Sequence, residues 1–395
     1  MSAMGFLEGV RILELGSMIT APYAGMLLAD LGADVIKVER SEGGDPFRSF
    51  QGDLYSPHFT MFNRNKRSIS VDLRSSGGRE IVLKLIEKAD VLLENYRPGV
   101  MERLGLDRSS LTKANSNLIH ATITGFGPDG PYAKRPAYDT VALAMSGAAS
   151  FFADEESHEI RGPTFPDVVT GIYAGYGILA AILRRERTGK GGRVELNMLE
   201  ASIAFIPDLF ANYMQTGAAQ GPYSRISTSQ AYSLRCADGK LLVIHLSSRE
   251  KFWQALVSIL ERPELALDPR FSTRANRVAN YKALRAVLTA AFATRQSDHW
   301  IPLLDQFDIP YAPMYSIPEV LKDPQVMHRG TFYDVARPQG GSFKAIHNPV
   351  ILDGEREQTR YAPPILGEHT SQILAEIGYD ERKCQELRDA GIINK

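Results

Sequence analysis

Short apolar runs alternate with amphipathic stretches along the first half of the chain. GVRILELG, DVIKVER, SISVDLR, DVLLENY and LIHATITGFG are brief and rich in Val, Ile and Leu, so each predicts a strand. Between them, TAPYAGMLLADLGA and SSGGREIVLKLIEKA carry apolar residues at helical spacing, with Gly32 near the end of the first. PGVMERLGL and DRSSLTKAN predict two short helices. Buried-type strands that alternate with helices predict a parallel sheet wrapped by helices, an α/β fold.

A long helix is expected from Asp167 to Arg187, closed by the glycines and basic residues of ERTGKGG. RVELNMLEASIAFIPDLFANYMQ continues as strand and helix, and then the texture changes. TGAAQGPYSRISTSQ is rich in Gly, Ser and Thr and reads as a linker. AYSLRCADGKLLVIHL predicts a hairpin around Asp238-Gly239, and SREKFWQALVSIL, YKALRAVLTAAFAT and SDHWIPLLDQF predict three amphipathic helices. The expected division is a first domain over residues 1–200, a linker over 201–224, a small α+β domain over 225–318 and a return segment over 319–395.

The 395 residues are 44% apolar and 23% charged, which excludes a disordered or collagen-like chain. A net charge of −1 argues against general nucleic-acid binding, so any anion must be met by local positive charge. Two cysteines, Cys236 and Cys384, cannot build a disulfide framework or a cysteine zinc site, and nothing in the pattern demands a metal. MSAMGFLEGVRILELGS does not read as a secretory signal. The uncharged stretch Val168 to Leu183 is shorter than the ~20 residues that span a bilayer. It reads as the buried helix of a soluble protein, and the expected location is cytoplasmic.

Gly125-Phe-Gly127-Pro-Asp-Gly130 matches a dinucleotide fingerprint in letters only. Pro128 and Pro131 prevent a helix from opening inside it, so NAD and FAD are not expected. The cations Arg40, Lys66, Arg67, Arg74, Arg97 and Arg103 lie at or near strand ends. Ligands of parallel sheets sit beyond the carboxyl ends of strands, so several of these cations are expected to gather round a ligand with several phosphates. Asp167, after Pro166, falls in the first turn of the long helix. It is either a dipole-satisfying carboxylate or a reactive one with small residues around it. His158 reads as part of a solvated loop, and His245, at a strand end, as a core histidine before a functional one.

Taken together, LEGVRILELGSMITAPYAGMLLADLGADVIKVER, FNRNKRSISVDLR, ADVLLENYRPGVMERLGL, ITGFGPDGPYAKRPAYDTVALAMSG and PDVVTGIYAGYGILAAILRRERTGKGGRVELNMLEA resemble the family III CoA transferases. This is the group of formyl-CoA transferase and carnitine CoA-transferase, and the resemblance runs nearly end to end. It implies a large Rossmann-like domain built from both chain ends, a smaller inserted α+β domain, and an interlocked homodimer. It implies Asp167 as the nucleophile that becomes acylated, with Asp139 in support. CoA would be met by Met18, Ile19, Arg40, Val71, Arg74, Asn95, Tyr96, Arg97, Arg103 and the Arg135–Tyr138 stretch, including Tyr138. The substrates implied are a CoA thioester and a carboxylic acid, with no tightly bound cofactor, no nucleic acid and no membrane.

Two departures bear on the branch. Racemases of 2-methylacyl-CoA in the same superfamily use a histidine where this chain has Tyr138, and a phenol of pKa near ~10 suits that proton exchange poorly. Racemase or epimerase is therefore the second reading, and a CoA-binding protein without turnover the third. Where the formyl-CoA branch has a glycine-rich loop, this chain has His245, Leu246, Ser247, Ser248 and Arg249 as candidate substrate contacts. Arg249 is expected either to bind an acceptor's second carboxylate or to be an exposed helix-start residue. Leu143 stands where many transferases have a polar residue, which hints at a less polar pocket.

Overall fold

The computed structural model describes residues 5–52, 54–152, 159, 163–218, 220–247, 249–338, 340–356 and 359–394. β1 (Arg11–Glu14), β2 (Asp34–Glu39), β3 (Lys66–Ser70), β4 (Val91–Glu94), β5 (Ile119–Thr124) and β6 (Gly192–Asn197) form a six-stranded sheet. The order is β3-β2-β1-β4-β5-β6 and every neighbouring pair is parallel. This is the doubly wound dinucleotide-binding order, in which the chain reverses direction across the sheet between β1 and β4. The connecting helices are α1 (Thr20–Ala29), α2 (Pro57–Thr60), α3 (Ser76–Glu87), α4 (Val100–Arg103), α5 (Arg108–Ala114), α6 (Asp139–Met145), α7 (Pro166–Thr188) and α8 (Met198–Phe205).

Successive strand residues point to opposite faces, so each strand feeds two cores. Leu13, Ile36, Ile69 and Leu92 pack with Val82 and Leu85 of α3 and with Ile373 and Leu387 from the end of the chain. Ile12, Val35, Val91 and Ala121 pack on the other face with Ala24, Ala174 and Ile178 of α1 and α7. Helices therefore cover both faces, as the apolar runs require.

The chain divides into two compact units. The first comprises Met1–Ala149, Gly162–Ile206 and Gly330–Lys395, so both chain ends build it. Asp72 N–H donates to the Ile392 carbonyl at 2.8 Å, beside a bridge between Val71 and Ile393. The second comprises Ser150–Arg161 and Pro207–Arg329. It holds the antiparallel strands β7 (Ala231–Arg235), β8 (Leu241–His245) and β9 (Tyr311–Pro313), covered by helices that bury Trp253, Leu284, Phe292 and Trp300. The β7–β8 turn places Gly239 at φ 81°, a conformation that suits glycine. Back in the first unit, β10 (Phe332–Ala336) and β11 (Ser342–Ile346) pair antiparallel.

Three expectations change. TGAAQGPYSRISTSQ, read as a linker, is helical over Ser224–Ser229, where Ser227 and Thr228 hydroxyls donate back to the Ser224 carbonyl. His245 is not a core histidine. It is exposed, because the alternation along β8 turns Leu242 and Ile244 inward and His245 out. The long helix runs 23 residues, Pro166–Thr188, and is long and apolar enough to cross a membrane by length and composition. One face of it, with Gly171, Ala174, Ile178 and Ile182, is buried in this unit.

Candidate active site

The carboxyl ends of β1, β4 and β5 open onto a cleft of about 210 Å³ at the switch point of the sheet. Ser17, Met18, Ile19 and Thr20 line it after β1, Asn95, Tyr96, Arg97 and Pro98 after β4, and Thr124 and Gly125 at the end of β5. Ala133, Arg135, Ala137 and Tyr138 close one side, with Asp167 at the start of α7 and Met198 at the start of α8. Gly125 has to be glycine here, because a Cβ would lie 2.2 Å from that of Ala137.

The turn after β1 is held from both sides. Asn95 Oδ1 accepts from Ser17 N–H at 3.0 Å, while Asn95 Nδ2 donates to the Ser17 carbonyl at 2.8 Å and to Thr20 Oγ1 at 2.9 Å. Asp45 accepts from Met18 N–H at 3.2 Å through both carboxylate oxygens. Met18 adopts φ 64°, a left-handed conformation that costs a non-glycine residue about 1–3 kcal/mol unless its surroundings fix it. A Cβ on Gly16 would lie 2.3 Å from that of Ala21, so the turn also packs tightly against α1.

Asp167 occupies the first turn of α7, after Pro166 at the first helical position. Asp139 occupies the first turn of α6, and its Oδ2 accepts from the Asp167 N–H at 3.3 Å. Burial, with the negative charge of Asp139 added to it, pushes the Asp167 carboxyl up to about 7. Burial also raises the Asp139 carboxyl, against hydrogen bonds from Asp167 and Thr164 that lower it. Among the described residues, Asp139 Oδ1 is buried with no hydrogen-bond partner. The result is a carboxylate that ionises near neutrality at the rim of an otherwise modestly polar cleft. Burial and Glu94 push the Tyr96 phenol up to about 12, so it remains a neutral hydrogen-bonding group.

Of the residues expected from sequence, Met18, Ile19, Asn95, Tyr96, Arg97, Arg135, Tyr138 and Asp167 meet at this cleft. Asp139 stands behind Asp167 rather than in the lining. Arg40, Arg74 and Arg103 are exposed outside the lining, Arg40 with Nε on the Gly44 carbonyl at 2.7 Å. Val71 is wholly buried in the core. The expectation fails for Lys66 and Arg67. Both are buried, Lys66 against Glu14 at 2.8 Å and Arg67 against Asp34 at 2.7 Å and Glu376 at 2.6 Å. They start β3, so they lie at its amino end rather than at the ligand end. Leu143 is wholly buried away from the lining and says nothing of pocket polarity.

His245, Ser247 and Arg249 belong to the second unit. Ser247 sits at φ 53°, held by its N–H on the Ser229 carbonyl at 2.9 Å and by Gln230 Nε2 on its carbonyl at 2.8 Å. Arg249 is the exposed residue that precedes the helix Glu250–Ile259. Ser248 and His158 lie outside the described residues. Sequence reading did not single out Asp45 or Met198. Met198 follows β6 directly, so the strand-end rule would have reached it; Asp45 lies in a loop and gave no signal.

The sequence profile of CoA-transferase family III matches residues 7–370. Succinyl-CoA:glutarate CoA-transferase of Mus musculus is 35% identical over 404 residues, covering 98% of this chain and 90% of that protein. Acetyl-CoA:oxalate CoA-transferase of Acetobacter aceti is 34% identical over 389 residues, covering 96% and 97%. A crystal structure of a CAIB/BAIF family protein from Brucella suis superposes with a TM-score of 0.81 at 33% identity, covering 94% of this chain and 99% of that one.

Proposed function

Taking as premise that the chain belongs to CoA-transferase family III and is a CoA-transferase, we propose that it moves CoA from an acyl-CoA to a carboxylic acid through Asp167. The observation that carries this reading is the position of Asp167: partly buried, titrating at about 7, and lining a cleft at the switch point of the sheet with Met18, Arg97 and Tyr138.

The chemistry balances without ATP. The Asp167 carboxylate attacks the thioester carbonyl, the C–S bond breaks, and CoA leaves as thiolate with a mixed anhydride behind it. The thiolate attacks the Asp167 carbonyl, which releases the donor carboxylate and leaves an aspartyl-CoA thioester. An acceptor carboxylate displaces CoA thiolate in the same way, and the thiolate then attacks the acceptor's acyl carbon. Acyl-CoA product departs and Asp167 is a carboxylate again. Partial burial supports the first step, because a poorly hydrated carboxylate held beside a thioester is a better nucleophile than one in water.

Arg97 and Arg135 in the cleft, with Arg40 after β2, suit the phosphates of CoA. The proposed assembly is a cytoplasmic homodimer. Ile172, Tyr176, Leu179 and Leu183 support the homodimer, since they form one exposed apolar stripe along α7 of the kind a second copy covers. No histidine lines the described cleft, so nothing favours α-proton exchange. The relatives named above are, by name, a glutarate and an oxalate CoA-transferase, and a short dicarboxylate is the proposed acceptor. Succinyl-CoA and acetyl-CoA assayed against a panel of mono- and dicarboxylates test the reading. Transfer that Asp167→Ala abolishes while CoA binding stays within about tenfold supports it, and an active Asp167→Ala sinks it.

A further inference from the structure

Beneath the turn after β1, the interior holds an unusual density of charge. Glu14, Lys37, Arg48 and Lys66 are each 0% exposed, and Asp45 is 3% exposed. Lys37 Nζ donates to the Gly16 carbonyl at 2.8 Å and to Glu14 Oε1 at 3.0 Å, and it lies 2.9 Å from Asp45 Oδ2. These three contacts use all three ammonium protons. Asp45 passes the connection on, accepting Met18 N–H at 3.2 Å and Phe47 N–H at 2.9 Å. Its own N–H donates to Glu39 Oε2 at 3.0 Å, and Glu39 is paired with Arg48 at 2.7 Å. Lys37 therefore grips the turn at two points, directly at Gly16 and through Asp45 at Met18.

Packing alone does not account for a lysine here. Replacing a buried ion pair by apolar groups of similar volume is often neutral or stabilising, so the charges are not needed to fill space. What an apolar side chain could not supply is a donor for the Gly16 carbonyl and an ammonium beside Asp45, the acceptor for the Met18 N–H. Burial alone would lower the Lys37 ammonium, but Asp45, Glu14 and Glu39 hold it above its ordinary value. Lys66, buried beside it, is pushed down to about 8.

We propose that Lys37 is a positioning residue for CoA: without reaching the cleft, it presets the Gly16–Met18 turn, with Met18 in its left-handed conformation, to receive the CoA thioester. The proposal rests on the CoA reading given above and adds a residue that touches no substrate. A rigid turn binds more tightly because its ordering is complete before the ligand arrives.

The test uses Lys37→Met and the nearly isosteric Asp45→Asn, with Asp30→Asn as a control. Asp30 pairs with Arg64 at 2.5 Å elsewhere in the same unit, so its loss weakens the fold away from the turn. CoA binding is titrated calorimetrically, thermal midpoints are measured, and amide exchange is followed in the ligand-free Ser17–Met18 peptide. Lys37→Met is expected to weaken CoA at least about tenfold, and Asp45→Asn at least about threefold, with faster exchange at Met18 in both. Asp30→Asn is expected to lower the thermal midpoint while CoA affinity stays within about twofold. If Lys37→Met does not fold, Asp45→Asn and its exchange rate decide. Folded turn variants that bind CoA like the unsubstituted chain overturn the proposal, as does an Asp30→Asn that loses affinity equally. An unsubstituted chain that binds no CoA overturns the CoA reading itself, and this proposal with it.

Discussion

The Asp167 N–H donates to Asp139 Oδ2 at 3.3 Å, so the first turns of α6 and α7 meet carboxylate against backbone. Each helix end favours a nearby negative charge, yet the two carboxyls also crowd each other in a partly buried place. Burial outweighs the helix ends, and Asp167 comes to ionise at about 7. A group poised there is about half ionised at neutral pH, as the nucleophile proposed above requires.

The pH dependence follows directly. Asp167 attacks only as carboxylate, so kcat/KM for the acyl-CoA should rise with pH and level off above about 7. Asp139→Asn removes the neighbouring negative charge and should move this inflection toward acid. An inflection that stays where it was would assign the titration to another group.

Stability should run the other way. The Asp167 carboxyl is raised from 3.8 to about 7, so its protonated form favours the folded state. That contribution is fully present below about 3.8 and is lost as pH rises to about 7. Asp167→Asn does not titrate. Its stability advantage over the parent chain should grow across this window and then level off, reaching about 1–3 kcal/mol above it. Thermal melts from pH 4 to 8 measure this directly, and a constant difference would contradict it.

Arg67 and Arg97 should separate stability from binding. Arg67→Gln breaks the pairs with Asp34 and Glu376 and should cost about 2 kcal/mol. This is less than the ~3–5 kcal/mol of wholly buried pairs, because both acids are partly exposed. Its CoA affinity should not change. Arg97→Ala should leave the thermal midpoint alone, weaken CoA about tenfold and flatten the salt dependence of binding. Calorimetric titration at two ionic strengths decides both.

Gly16→Ala tests the tightness of the turn. Its Cβ would fall 2.3 Å from that of Ala21, so the turn or α1 must shift. A stability loss of about 1–3 kcal/mol is expected, with a further loss of CoA affinity. An alanine accepted at full affinity would mean that the turn is not the binding element.

What was legible in the sequence was local. Strand runs such as DVIKVER and DVLLENY, the hairpin at Asp238-Gly239 and the long helix after Pro166 all follow from period and turn chemistry, and each formed. Depth and direction were not legible. Lys66 and Arg67 looked like ligand cations because spacing does not say which end of a strand faces the ligand. Their partners Glu14, Asp34 and Glu376 are far away in sequence. His245 looked buried because LLVIHL is apolar, and only the pleat of β8 decides which residues face out. Asp45 was invisible because its role is a hydrogen bond to a backbone N–H 27 positions away, which leaves no mark on any periodicity.

The central claim is that Asp167 carries the acyl group and then CoA. Its most direct test is to incubate the protein with succinyl-CoA or acetyl-CoA, quench with hydroxylamine, and map the modified peptide by mass spectrometry. The account predicts a hydroxamate at Asp167 that forms only with acyl-CoA present and is absent in Asp167→Asn. An unmodified Asp167 alongside active CoA transfer would contradict it.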